Sequence, residues 1–387
     1  MDLAYLDNNA TTRLAPEALQ AMLPFLTQDF GNASSMHSLG RAPAKALIAA
    51  RRAVQALIGA ADEAEIIFTS GGTEANATAI RSALAADPAR REIVTSTVEH
   101  PAILALCEHL ERAEGVKVHR IPVDTEGRLE FDAFRAALSD RVALVTLMWA
   151  NNETGTIFPI EGLAELAHGV GALFHTDAVQ AVGKVPVSVK GTDIDMLSMS
   201  AHKLHGPKGS GALYLKKGVP FQPLFRGGKQ ERGRRAGTEN LPGIVGFGRA
   251  AELAASADLA SVAGLRDRLE QGITATIAKA RVLGDLRDRL PNTSCIAFDF
   301  VEGEAILMLL DRAGIAVSTG AACSSGAMEP SHVMRAMKVP FTAAHGAIRF
   351  SLSRETTAAE VDRVIEALPS VIAQLRALSP FGAEEVR

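Results

Sequence analysis

The feature that most constrains this chain is a repeated alternation of short apolar runs with amphipathic stretches of helical length. Apolar runs at residues 65–69, 92–96, 116–121, 142–148, 173–176, 195–199 and 212–215 have the length of strands, and helical segments separate several of them. That pattern predicts an α/β fold with a mostly parallel, seven-stranded sheet. One helix opens near Pro16, a residue suited to a first helical turn. A second spans about 42–58, with Leu47, Ala50, Val54 and Leu57 on one face and Gly59 behind it. After Gly227-Gly228 the texture turns polar, basic and glycine-rich over 229–240, which reads as a loop and crossover, followed by a helix near 241–255. Val262, Leu265, Leu269, Ile273 and Ile277 then outline a long helix, and strands near 295–300 and 348–352 belong to a smaller C-terminal α/β unit. A chain of 387 residues exceeds one ordinary core. The expected division is a large unit over 13–258, with 1–12 and 259–387 forming the smaller one.

The composition narrows the function classes. Hydrophobic residues at 47% and charged residues at 22% are ordinary for a folded protein and argue against disorder. A formal charge of −4 with scattered Lys and Arg offers no basic footprint for nucleic acid and no polybasic membrane patch. The opening residues lack a basic flank and an apolar core, and no apolar run is long enough to span a bilayer, so a cytoplasmic protein is expected. Cys107, Cys295 and Cys323 are too few and too far apart for a disulfide framework or a paired-cysteine metal site. Small-molecule chemistry is favoured and no metal is expected.

Four segments carry candidate chemistry. Residues 65–74 read as a strand, a Gly71-Gly72 turn and the first turn of a helix, which aims backbone N–H groups and a helix dipole at one point. A phosphate suits that point, with Thr73 adding its hydroxyl; the plain alternative is a capped turn. The segment matches neither the dinucleotide nor the P-loop fingerprint. Asp177 ends an apolar strand, where α/β ligand sites gather, and could either cap a helix or hold a pyridine nitrogen protonated. Lys203 sits in the His-rich, Gly-flanked segment 200–209; it is either a solvated loop charge or a Schiff-base lysine drawn out of water. The segment 318–327 is small, polar and punctuated by glycine, with no apolar period, and reads as a mobile loop to about residue 330. Its Cys323 suits a nucleophile that works in two places, whereas Cys107 and Cys295 lie in apolar surroundings and read as structural.

Taken in order, these segments resemble the class V group of fold type I pyridoxal-phosphate (PLP) enzymes, and within it the cysteine desulfurases of the NifS/IscS type. The resemblance runs through Tyr5-Leu6-Asp7-Asn8-Asn9-Ala10-Thr11-Thr12, Phe30-Gly31-Asn32, Val98-Glu99-His100, Asn151-Asn152-Glu153-Thr154-Gly155, the 177–180 and 200–209 segments, 234–238, the Cys323 loop and Ile348-Arg349-Phe350-Ser351. The opening motif, Ser34-Ser35-Met36-His37-Ser38 and Met148-Trp149-Ala150 look nearer to the NifS branch. The resemblance implies L-cysteine as substrate and PLP as cofactor, carried by Lys203 as a Schiff base. It implies Asp177 at the pyridine nitrogen, Gln180 at the ring hydroxyl and His100 stacked on the ring, with Asn152 touching cofactor and substrate. Gly72, Thr73, Ser200 and His202 match phosphate-binding positions, and Thr238 matches a phosphate ligand that reaches in from the second subunit of a homodimer. Arg349, supported by Asn32 and Asn152, matches the clamp for the substrate carboxylate. Cys323 matches the residue that receives sulfur as a persulfide and hands it to an acceptor such as an iron–sulfur scaffold protein. Selenocysteine lyase, another class V enzyme, or a non-catalytic platform for iron–sulfur assembly are the competing readings, and the loop cysteine with intact Lys203, Asp177, His100 and Arg349 favours desulfuration.

Overall fold

The computed structural model describes residues 3–319 and 329–379. After the short strand β1 (Ala4–Tyr5), helices α1 (Pro16–Thr27) and α2 (Ser38–Leu57) precede the main sheet. Its strands are β2 (Ile66–Thr69), β3 (Glu92–Ser96), β4 (Lys117–Ile121), β5 (Val142–Met148), β6 (Leu173–Asp177), β7 (Met196–Ser200) and β8 (Gly211–Leu215). They lie in the order β2-β8-β7-β6-β5-β3-β4. All neighbours from β7 to β4 pair parallel, and β8 alone runs against both of its neighbours. Every residue of β2, β3, β5, β7 and β8 is buried, which is the burial expected of a sheet covered on both faces. Between β2 and β3 runs α3 (Gly72–Ala86), and α4 (Pro101–Glu114) follows β3. The latter opens where the His100 ring nitrogen accepts from the Ala102 amide at 3.1 Å with Pro101 behind it, and closes on Gly115 at φ 65°.

A second core gathers the start of the chain and its later part. Strands β9 (Ala280–Leu283), β10 (Thr293–Phe298), β11 (Ile315–Ala316), β12 (Ser318–Thr319) and β13 (Ala347–Ser351) follow the main sheet. The order β12-β13-β10-β9 makes a four-stranded sheet, while β1 pairs parallel with β11. Ala4 and Leu6 are buried there with Ile273, Phe298 and Phe350, and with Leu368 of the helix Ala358–Leu378. That helix starts on a capping box between Thr357 and Glu360.

The basic stretch 229–240 does more than cross over. Glu231, at φ 48°, is buried and receives both terminal nitrogens of Arg51 at 2.7 Å, as well as the Phe68 amide at 3.1 Å. Arg51 also donates to the Ile66 carbonyl at 2.7 Å, so the pair ties this turn to α2 and β2. The sequence texture of 229–240 hides this anchor, because Glu231 between Lys229 and Arg232 looks like a solvated charge.

Candidate active site

Six strands of the main sheet point the same way, and the carboxyl ends of five of them, β2, β3, β5, β6 and β7, deliver Gly71, His100, Met148, Asp177 and Ser200 to one edge. A cleft of about 340 Å³ opens there, of a size with small-molecule sites. Gly72, Thr73, His100, Asn152, Asp177, Gln180, Ser200, His202, Lys203 and Arg349 all line it.

Lys203 lies in the short turn after β7, half-buried, with its amine donating to the Asn9 carbonyl at 2.5 Å and the Ala10 carbonyl at 2.8 Å. Asp177 is buried at the end of β6. One of its oxygens accepts from the Val179 amide at 3.0 Å and so caps its own turn, and the other takes the Asn76 amide at 2.6 Å. The bond from Val179 is the capping role that the end of a strand suggested. His100 faces the cleft between opposite influences: desolvation lowers its pKa most, Asp177 raises it and Lys203 lowers it. Burial, followed by Lys203, Lys208 and Lys184, brings His202 down to about 4, so this ring is neutral at physiological pH.

The glycine turn has the form of a cradle. Gly71 sits at φ 159°, ψ −176°, a region open to glycine and closed to other residues. A Cβ on Gly72 would fall 2.7 Å from the Val179 methyl. Gly72 and Thr73 form the first turn of α3 beside Ser200, whose hydroxyl oxygen lies 3.9 Å from where a Cβ on Gly71 would stand. An amine, a buried carboxylate, an imidazole and a helix start meeting in one cleft fit PLP: Gly72, Thr73, Ser200 and His202 would hold its phosphate, Asp177 its ring nitrogen and Lys203 its aldehyde.

Arg349, only 5% exposed on β13, donates to Asp7 at 2.7 Å and to the Asn152 carbonyl at 3.1 Å. Asp7 is a partner that sequence reasoning missed. Asn9 was named only as part of the opening motif, yet its side chain joins Lys184, Thr293, Asn292 and the Asn152 carbonyl. Asn76 was also missed, although its spacing from Gly72 and Thr73, one helical turn, places it on the same face of α3.

Two sequence-stated residues stand elsewhere. Asn32 is exposed, its side-chain oxygen accepting from the Ser34 amide at 2.8 Å within its own turn, and it does not line the cleft. Thr238 is exposed on a separate groove with Arg235 and Glu239. Cys323 lies outside the described residues. The remaining thiols, Cys107 and Cys295, are buried, and burial pushes each up to about 12. Among the described residues no cluster of His, Cys, Asp or Glu could hold a metal ion, and no helix is long and apolar enough to cross a membrane.

Two acids beside the cleft are buried and, among the described residues, have no hydrogen-bonded cation. Burial pushes Glu99 up to about 8, against the Ser96 hydroxyl at 2.7 Å and the Met148 amide at 3.0 Å that favour its charged form. Glu153 is pushed up to about 7 by burial, opposed by the Ser331 hydroxyl at 2.8 Å and by the charge of Arg349.

Comparison with known proteins places this geometry. The profile of the aminotransferase class-V family matches residues 4–364. A cysteine desulfurase of Cereibacter sphaeroides is 78% identical over 387 residues, covering all of both chains. The chain belongs to the cysteine desulfurases of the class-V family. The cysteine desulfurase NifS of Azotobacter vinelandii is 58% identical, with 97% of this chain and 94% of that protein covered. Among solved structures, a NifS-like protein superposes with a TM-score of 0.90 at 37% identity, covering 97% of this chain and 100% of the other. PLP dependence comes with this family.

Proposed function

We propose that this chain removes the sulfur of L-cysteine, releasing L-alanine and leaving a persulfide on Cys323 that passes to an acceptor protein. The observation that carries this reading is the meeting of Lys203, Asp177, His100 and Arg349 in one cleft. PLP, when bound, supplies an electron sink for bond breaking next to the substrate Cα. The protein's own groups do the rest. Arg349 receives the substrate carboxylate through its guanidinium, with Asp7 and the Asn152 carbonyl fixing its plane. The Lys203 amine removes the Cα proton as general base and later returns one. Asp177, oriented by Asn76, keeps the ring nitrogen protonated. His100 manages the proton of the substrate thiol. The Cys323 sulfur attacks the substrate sulfur, the carbon–sulfur bond breaks with its electron pair going to carbon, and protonation of carbon completes alanine.

Thr238 supports a homodimer: it is exposed and off its own cleft, as a residue donated to a neighbouring subunit would be. The resemblance to the NifS branch supports an acceptor in iron–sulfur assembly for nitrogen fixation. Buried free thiols at Cys107 and Cys295 agree with a reducing cytoplasm.

The test combines two variants. Wild-type protein should carry the visible absorption of bound PLP, and Lys203→Ala should lose it. After incubation with L-cysteine, mass spectrometry should find one added sulfur on the peptide bearing Cys323, and Cys323→Ser should retain PLP yet release no sulfide. A colourless wild type, or wild-type sulfide release by Cys323→Ser, overturns the reading.

A further inference from the structure

A second amine stands behind the first. Lys184 lies on the turn that follows Asp177 and is only 7% exposed. Its Nζ donates to the Asn9 side-chain oxygen at 2.8 Å and to the Gln180 side-chain oxygen at 2.5 Å, and among the described residues no carboxylate bonds to it. Burying an amine on amide oxygens alone is costly, which calls for a reason beyond packing.

The surrounding bonds fix which way each amide faces. A backbone carbonyl only accepts, so the Gln180 group 2.9 Å from the Asn9 carbonyl is its NH₂, and the Asn9 group 3.1 Å from the Asn152 carbonyl is likewise its NH₂. Both side-chain oxygens then turn toward Lys184, where the amine donates to them in either protonation state. Asn9 is thereby clamped by Lys184, Asn292 and Thr293. The clamped residue supplies the backbone carbonyl that receives Lys203 at 2.5 Å.

We infer that Lys184 is a positioning residue for Lys203: it locks Asn9 and Gln180 on the cleft wall and sets a second amine against the first. Burial first, and then Lys203 and Arg349, hold its own pKa well below the usual lysine range. The other titratable groups that feel it are His202 and His205, while Asp7 is engaged by Arg349 and Asp177 by Asn76. The influence of Lys203 on Lys184 is mutual: whenever Lys184 holds its proton it disfavours charge on the nitrogen of Lys203, and a neutral side chain in its place removes that opposition.

This inference rests on the reading that the cleft binds PLP, and its test reads the cofactor's colour rather than turnover. The visible absorption of PLP bound to the purified holoenzyme is titrated with pH in wild type, Lys184→Met, Lys184→Gln and Lys184→Arg. The expected result is a titration midpoint raised by about one pH unit in Lys184→Met, and returned toward wild type in Lys184→Arg, which restores donors and charge. If Lys184→Met does not fold, Lys184→Gln, which keeps an N–H donor but no charge, should show the same upward direction. An unchanged midpoint in folded, PLP-bound variants overturns the inference while leaving the PLP reading intact. Failure of both neutral variants to fold also overturns it, in favour of a purely structural lysine. A colourless wild type overturns the PLP reading, and this inference with it.

Discussion

Glu99 shows what a single residue can cost a fold. Its carboxyl is raised to about 8 by burial, so the folded protein holds a proton that the unfolded chain, with an ordinary glutamate, gives up near pH 4.5. The neutral acid therefore contributes stability that is fully present below pH 4.5 and is lost as pH rises through 8. Glu99→Gln copies the protonated form, keeping an oxygen for Ser96 and Met148. The expected outcome is an unfolding midpoint a few degrees above wild type, by about 2–4 °C, at pH 8.5, with no gain at pH 4, measured by thermal denaturation at both values. A gain equal at both pH values would show that the carboxyl's charge is not the cause. At this scale the sequence was legible wherever chemistry is written into a residue type. Lys203, Asp177, His100 and Arg349 could be named from their motifs, and all line one cleft. Asn76 and Lys184 could not, since an amide and a lysine acquire their roles only from what lies 101 and 175 positions away, at Asp177 and Asn9.

At the scale of elements, the start of α3 depends on the absence of side chains. Gly72→Ala brings a methyl to 2.7 Å from the Val179 side chain, on the turn that also carries Asp177 and Gln180. Either the helix start or that turn must move, and both border the cradle. We expect weaker PLP binding by about tenfold, read by rebinding of PLP to apoprotein, with little change in helix content by circular dichroism; unaltered PLP affinity would show that the cradle tolerates the methyl. The strands were legible because apolar runs of fixed length carry their own signal, and observed ends differ from expected ones by one or two residues at most in the main sheet. The direction of β8 was not. A reversed strand looks like a parallel one in composition, and only pairing with β2 and β7 reveals it. Glu231 eluded the reading for a related reason: its worth comes from Arg51, 180 residues away.

Across the whole molecule, the first residues join the two cores. Leu6 packs in the second core and accepts the Ser351 amide at 2.7 Å, whereas the Asn9 and Ala10 carbonyls reach Lys203 beside the main sheet. Removal of residues 1–9 should leave most of the main sheet's secondary structure while abolishing stable PLP retention, measured by circular dichroism and by absorbance after gel filtration. Retention at wild-type level would show that the opening segment is dispensable to the cleft. Nothing local in Asn8-Asn9 announces this, because the segment's partners, Ser351 among them, come from the far end of the chain. That arrangement also sets a timetable. A ribosome makes Asn9 long before it can offer it Asn292, Thr293 or Ser351, so the nascent protein passes much of its synthesis with an unfinished cleft. Capture of the cofactor by a completed cleft thus waits for residues made as late as Ser351, 342 positions after Asn9.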